Sequence, residues 1–153
     1  GTMKTVAKTV AVLVILAILI GGAWAQFSSP EKAVKYRQSV MVVIGQHFGR
    51  LGTMVKGKQP YDQTSFANNT AVIEALAGLP WEAFLVPGSD QGKTTMKSSV
   101  IKDPNGLKSL SQQFEFEVGK LSAATKSNDF SAIKAQFGAV AQSCKGCHSK
   151  TRK

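Results

Sequence analysis

Two thiols and an imidazole close to one end of the chain, in the string Cys144-Lys145-Gly146-Cys147-His148, have the types and spacing to do chemistry. They are the chain's 2 cysteines and one of its 2 histidines. C-x-x-C-H is the spacing of covalent c-type haem attachment. Residues three apart on a helix share a face, so both thiols can reach the two vinyl groups of one porphyrin. The neighbouring imidazole is then carried under the ring as the proximal iron ligand. An apolar stripe of Phe130, Ile133, Phe137 and Val140 leads by helical steps onto Cys144 and Cys147. One haem c per chain is therefore expected in the core against which that helix packs.

Other uses of the same residues fit less well. A thioredoxin-like redox pair belongs at a helix start in a βαβ setting, whereas this pair sits far along a helical stripe. A zinc site would need His47 beside His148 and both thiols. His47 falls one position off its own helix's apolar seam, as an edge or surface histidine does. A disulfide across two residues inside a helix is geometrically strained.

The elements that must position the motif read as four helices. Ser29-Pro30-Glu31 is a helix start: a capping hydroxyl, a proline at the first helical position and an acid in the first turn. Val34, Arg37, Met41, Ile44, Phe48, Leu51 and Val55 follow at alternating steps of three and four, a seam facing a bundle. Gly57 to Pro60 breaks the pattern, and Asp62 caps a second helix with Phe66, Asn69, Ile73 and Leu76 on one face. A loop rich in Pro, Gly, Ser and Lys is expected from about Pro80 to Asp103. Leu107, Leu110, Phe114, Val118 and Leu121 mark a third helix, and Asp129 or Asn128 opens the fourth. With no alternating strand pattern, the predicted fold is all-α, an antiparallel four-helix bundle carrying covalent haem.

Two seam residues bear on the iron. None of the residues after His148 is methionine or histidine, so a second axial ligand would come from upstream. Met41 is the candidate on the seam, since Met54 lies off it and Met96 lies in the loop; the alternative for Met41 is core packing. Arg37, one turn earlier, is either a buried arginine paired with the haem propionates or one whose head reaches solvent.

Residues 1–25 read as an export signal. Lys4 and Lys8 precede the apolar run Val10 to Ile20, and Ala23-Trp24-Ala25 supplies a small-residue cleavage site before Gln26. Gly1 and Thr2 stand ahead of Met3 as an expression remnant or a misplaced start. The apolar run is shorter than the roughly 20 residues of a spanning helix, so no stable membrane anchor is expected after cleavage. The working domain is then 26–153, with a periplasmic location. The 19 Lys+Arg against 9 Asp+Glu give a formal charge of +10, which cleavage lowers by the two lysines. The lysines are dispersed and export removes nucleic acid as a partner. Anionic surfaces and acidic redox proteins remain.

The chain as a whole resembles the cytochrome c prime family, the class II c-type cytochromes. The likeness rests on Pro30-Glu31, Ala33 to Ser39, His47-Phe48-Gly49-Arg50, Lys56-Gly57, Pro60-Tyr61-Asp62, Leu79-Pro80-Trp81, Ala83-Phe84, Leu121 to Ala124, Phe137-Gly138 and Ser143 to His148. It implies a high-spin, five-coordinate haem on His148, with Met41 on a crowded distal face, Arg37 at a propionate and Arg152 on the proximal side. It also implies binding of nitric oxide and carbon monoxide, electron exchange with redox partner proteins, and a homodimer formed through the first two helices. The residues themselves give no sign of enzymatic turnover beyond slow redox chemistry at the iron. Two features depart from the pattern. Ile101 stands where the family commonly has tryptophan, and Asp103-Pro104-Asn105-Gly106 is turn-like, which implies looser packing on the haem there. Methionine at 41 matches the low-spin relatives, in which a first-helix methionine is the sixth ligand and the protein is a plain electron carrier. The run from Pro60-Tyr61 through Trp81 and Phe84 looks more like the high-spin branch.

Three further signals carry little. Gly88 to Thr94 is one residue short of a phosphate-binding loop and has no strand before it. Asn68-Asn69-Thr70 matches a glycosylation acceptor but lies within a predicted helix. Glu115 with Glu117 lacks the supporting groups of an acid/base pair.

Overall fold

Each long helix starts where a short polar side chain can hold an otherwise free amide. Ser29 Oγ accepts from Lys32 N (3.3 Å) ahead of α1 (Pro30–Val55), and Asp62 accepts from Ser65 N (2.6 Å) ahead of α2 (Gln63–Leu76). Asp103 accepts from Gly106 N (2.9 Å) ahead of α3 (Pro104–Thr125). Asp129 accepts from Ser131 N (3.0 Å) and Ala132 N (3.1 Å) ahead of α4 (Phe130–Thr151). Such caps contribute about 1 kcal/mol each. The computed structural model describes residues 26–153; the export signal expected over residues 1–25 lies outside them. No helix among the described residues is long and apolar enough to cross a membrane.

The helices pack in sequence, α1 on α2, α2 on α3 and α3 on α4, as an up-down four-helix bundle. Its core draws Val40, Ile44, Leu51 and Met54 from α1, Phe66 and Ile73 from α2, Phe114, Val118 and Leu121 from α3, and Ile133 and Val140 from α4. Each such side chain contributes about 1.5–3 kcal/mol by leaving water. Met54, read as off the seam, is buried, because a bundle helix buries a stripe wider than one column of residues. Between α3 and α4, the buried carboxylate of Glu117 accepts from Gln113 Nε2 (2.9 Å) and Gln136 Nε2 (2.6 Å). The Gln136 bond ties α4 to α3.

α1 and α4 meet through aromatic rings at one end only. Phe48 stacks on Phe137 with centroids 4.3 Å apart and planes 6° apart. Tyr61 stacks on Phe130 at 4.3 Å just beyond. In the other direction the two helices stand apart, and the space between Met41 and Cys147 is cavity.

The long connection is more ordered than the expected loop. Trp81–Phe84 forms a 3-10 turn, Ser99–Lys102 a single helical turn, and Met96 pairs antiparallel with Arg152. Met96, Val100 and Leu107 bury together beneath Trp81, Phe84 and Ile101. The Asp103-Pro104-Asn105-Gly106 string, read as a turn that loosens this region, is the capped first turn of α3. Aspartate at the cap and proline at the first helical position start a helix as readily as they mark a turn.

Candidate functional site

α4 ends at Thr151, so Cys144, Cys147 and His148 all project from its last two turns. Cys144 and Cys147 are free thiols lining an apolar cavity of about 280 Å³ with Ile44, Phe48, Ile73, Trp81 and Phe114. A second cavity, about 480 Å³, opens beside it between α1 and the segment 83–97, here called the strap. Met41, Cys147 and His148 line both cavities, which therefore read as two parts of one slot. The inner part is apolar; the outer part is rimmed by Arg37, Gln38, Thr94, Thr95 and Arg152.

Burial pushes both thiols above the ordinary cysteine range, with Cys147 adding to the effect on Cys144. Partial burial and, next, the charge of Arg152 push His148 below the ordinary imidazole range. The neutral imidazole is the form that ligates metal. Two protonated thiols one turn apart and a neutral imidazole facing a slot with apolar walls and a polar mouth suit a planar apolar macrocycle bearing polar groups at one edge. The same residues do not suit zinc. His47 lines neither cavity, its Nδ1 lies 2.8 Å from Asn69 Oδ1, and no metal-binding cluster of three His, Cys, Asp or Glu occurs among the described residues.

Arg37 is buried, with 3% of its surface exposed. Its Nη1 donates to Ala83 O (3.0 Å) and Ser89 Oγ (3.0 Å), and its Nη2 to Ser89 O (2.6 Å) and Thr94 Oγ1 (2.9 Å). Its guanidinium also lies 4.9 Å from the ring centre of Phe84. The head does not reach bulk solvent, and the partners it has are neutral groups of the strap rather than carboxylates. Arg152 closes α4: its amide donates to His148 O (3.0 Å) and its Nε to Thr95 Oγ1 (3.1 Å). Met96, assigned only to a loop by the sequence, is a buried wall of the larger cavity. Its burial depends on pairing with Arg152, a contact no local pattern announces.

The profile of the family described as cytochrome c prime matches residues 32–152. The chain belongs to the cytochrome c prime family. A cytochrome c prime from Rubrivivax gelatinosus is 44% identical over 126 residues, covering 82% of this chain and 97% of the relative. The nitrosyl complex of a variant of the Alcaligenes xylosoxidans cytochrome c prime is 41% identical, with a TM-score of 0.78, covering 84% of this chain and all of that one. A carbon monoxide complex of another variant of that protein matches with a TM-score of 0.77 at 41% identity, over 84% of this chain and 99% of that one. As a member of the cytochrome c prime family, this chain is a four-helix-bundle protein carrying covalent haem c.

Proposed function

We propose that this chain is a periplasmic cytochrome c prime whose high-spin, five-coordinate iron takes nitric oxide and carbon monoxide on the Met41 side and exchanges single electrons with redox proteins. In this reading it turns over no substrate. Cys144 and Cys147 hold the haem as thioethers, His148 is its axial ligand, and Arg152 stands on the proximal side. The bound haem supplies an iron with one open position. Arg37 reaches a propionate through Nε, the nitrogen not engaged by the strap. The export signal of residues 1–25 is removed before Gln26, and two chains pair through α1 and α2. Val43, 42% exposed on α1 and outside the cavity lining, gives that face apolar surface to bury.

The observation that carries the gas-binding part is the lining of the inner cavity. Around Met41 stand Ile44, Phe48, Ile73, Trp81 and Phe114. The polar hydrogens there are already spent: Trp81 Nε1 donates to Ala77 O (2.7 Å) and Ser143 Oγ to Val140 O (2.7 Å). Dioxygen needs a hydrogen-bond donor beside the iron, whereas nitric oxide and carbon monoxide do not. The complexes of the Alcaligenes relative with both gases support the same reading.

A second reading rests on Met41 itself. It faces the slot from α1 while His148 faces it from α4, so a thioether could serve as sixth ligand in a low-spin electron carrier. Optical spectra of the ferric and ferrous protein, with and without carbon monoxide, separate the two. The five-coordinate reading expects high-spin spectra and immediate carbon monoxide uptake. A low-spin ferrous spectrum that carbon monoxide leaves unchanged overturns it in favour of Met41 ligation. Met41→Ala then converts a six-coordinate haem to high spin, but only widens the pocket of a five-coordinate one.

A further inference from the structure

The rim of the larger cavity is closed by two segments far apart in sequence. Lys97 N donates to Thr151 O (2.8 Å) and Lys153 N to Thr95 O (2.8 Å), on either side of the Met96–Arg152 pair. Arg152 Nε and Lys97 Nζ add side-chain bonds to Thr95 Oγ1 (3.1 Å) and Ser149 O (3.3 Å). This clasp brings Lys97 of the strap against the end of α4, which carries Lys150, Arg152 and Lys153; Arg152 lines the larger cavity itself and Lys150 a smaller one beside it. Lys93 joins them, because its carbonyl accepts from Gln38 Nε2 (2.9 Å), and Gln38 lines the same cavity.

Protein side chains offset little of this charge, and the haem propionates would offset part of it. None of the five forms an ion pair among the described residues; Lys120 with Glu117 is a pair on α3. From Phe130 to Lys153 the sequence has no Asp or Glu. Two carboxylates lie near the rim: Asp90, engaged by Ser98 and Gln91 as well as by the charge of Lys153, and Asp103, which lines a smaller cavity with Lys150. Val42 lines the cavity and is 70% exposed, an apolar side chain beside the polar mouth. A small apolar centre inside a charged rim is the anatomy of a protein docking site. Anchoring in a lipid surface calls instead for large apolar side chains that insert, and Phe116, the exposed aromatic, lies on α3 away from this cavity.

We propose that this rim is the docking face for an acidic one-electron redox protein, a reading that rests on the electron-transfer part of the function above. The reduced partner gives up one electron and the ferric iron takes it to become ferrous; no bond is made or broken. The rim cations attract the partner, and Val42 supplies the apolar contact at the cavity edge.

The test uses the haem-loaded protein and stopped-flow oxidation of its ferrous form by hexacyanoferrate(III) and by tris(phenanthroline)cobalt(III). The rate with the anion should fall as salt rises and the rate with the cation should not. Lys97→Glu/Lys150→Glu/Lys153→Glu should slow the anion's reaction about tenfold or more at low salt, within the range of electrostatic steering. Lys56→Glu/Lys58→Glu/Lys126→Glu makes the same charge change at the opposite end of the bundle and should leave the rate within about twofold. Reduction by an acidic [2Fe–2S] ferredoxin should follow the same order, with optical spectra and circular dichroism of both triple variants unchanged. Equal slowing by the two triple variants overturns the docking face, leaving only net charge. So does an unaltered ferredoxin rate alongside lost retention on phosphatidylglycerol vesicles, which assigns the rim to a membrane surface. A native protein that exchanges electrons with none of these reagents overturns the electron-transfer reading itself.

Discussion

At the end of the bundle where α1 turns into α2, rings close the space between helices: Phe48 on Phe137, and Tyr61 on both Phe130 and Phe66. Gly52 sits beside that closure, where a Cβ would make ordinary contact with the Phe137 ring at 3.5 Å. At the other end the same helices are held apart, and what holds them is directional. Arg37 gathers Ala83, Ser89 and Thr94, and the clasp joins Thr95 and Lys97 to Thr151 and Lys153. One end derives stability from contact area, which tolerates no void. The other relies on hydrogen bonds at its margin, which can span a void. The bundle can carry a cofactor slot because these two duties are separated along its length.

Four substitutions break or sharpen this division, from the largest effect to the smallest. Cys144→Ser/Cys147→Ser touches the slot end alone; covalent haem should fall from complete to none, read by extraction with acidified ketone. Phe66→Ala strikes the closed end, where the ring is fully buried. It should lower unfolding stability by about 3–5 kcal/mol in denaturant titration while the haem spectrum stays unchanged. Arg37→Met leaves the strap carbonyls and hydroxyls without their donor. Local stability there should fall by about 2–3 kcal/mol, so amides of Ser89, Gln91 and Met96 should exchange roughly 30- to 160-fold faster, with α2 amides unaffected. Asp129→Ala removes the cap of α4 at the closed end and should cost about 1 kcal/mol, with no change in gas binding. If Arg37→Met instead destabilised both ends equally, the division between them would be wrong.

The same division governs what the sequence discloses. The four long helices were legible because their signals are local: caps at Ser29, Asp62 and Asp129, and apolar residues at helical spacing. The attachment motif was legible for the same reason, since Cys144, Cys147 and His148 lie within two turns of one helix. The burial of Arg37 could be read from its place on the seam. Its partners could not, because Ser89 and Thr94 lie 52 and 57 residues further along. The role of Met96 and the order in the strap were hidden likewise, being created by contacts with the end of α4. The start of α3 was a different kind of miss: Asp103-Pro104 held the information, but glycine at 106 drew the reading toward a turn.

The span of the Arg37 bonds also orders events in time. They close chain loops of 46, 52 and 57 residues, whereas α1 meets α2 and α3 meets α4 across short turns. Long loops carry the larger closure entropy, so these helix pairs form first and the strap docks last. For that interval the thiols of α4 stand on a formed helix beside an unshut wall. The wall beside those thiols is thus the last part of the slot to form.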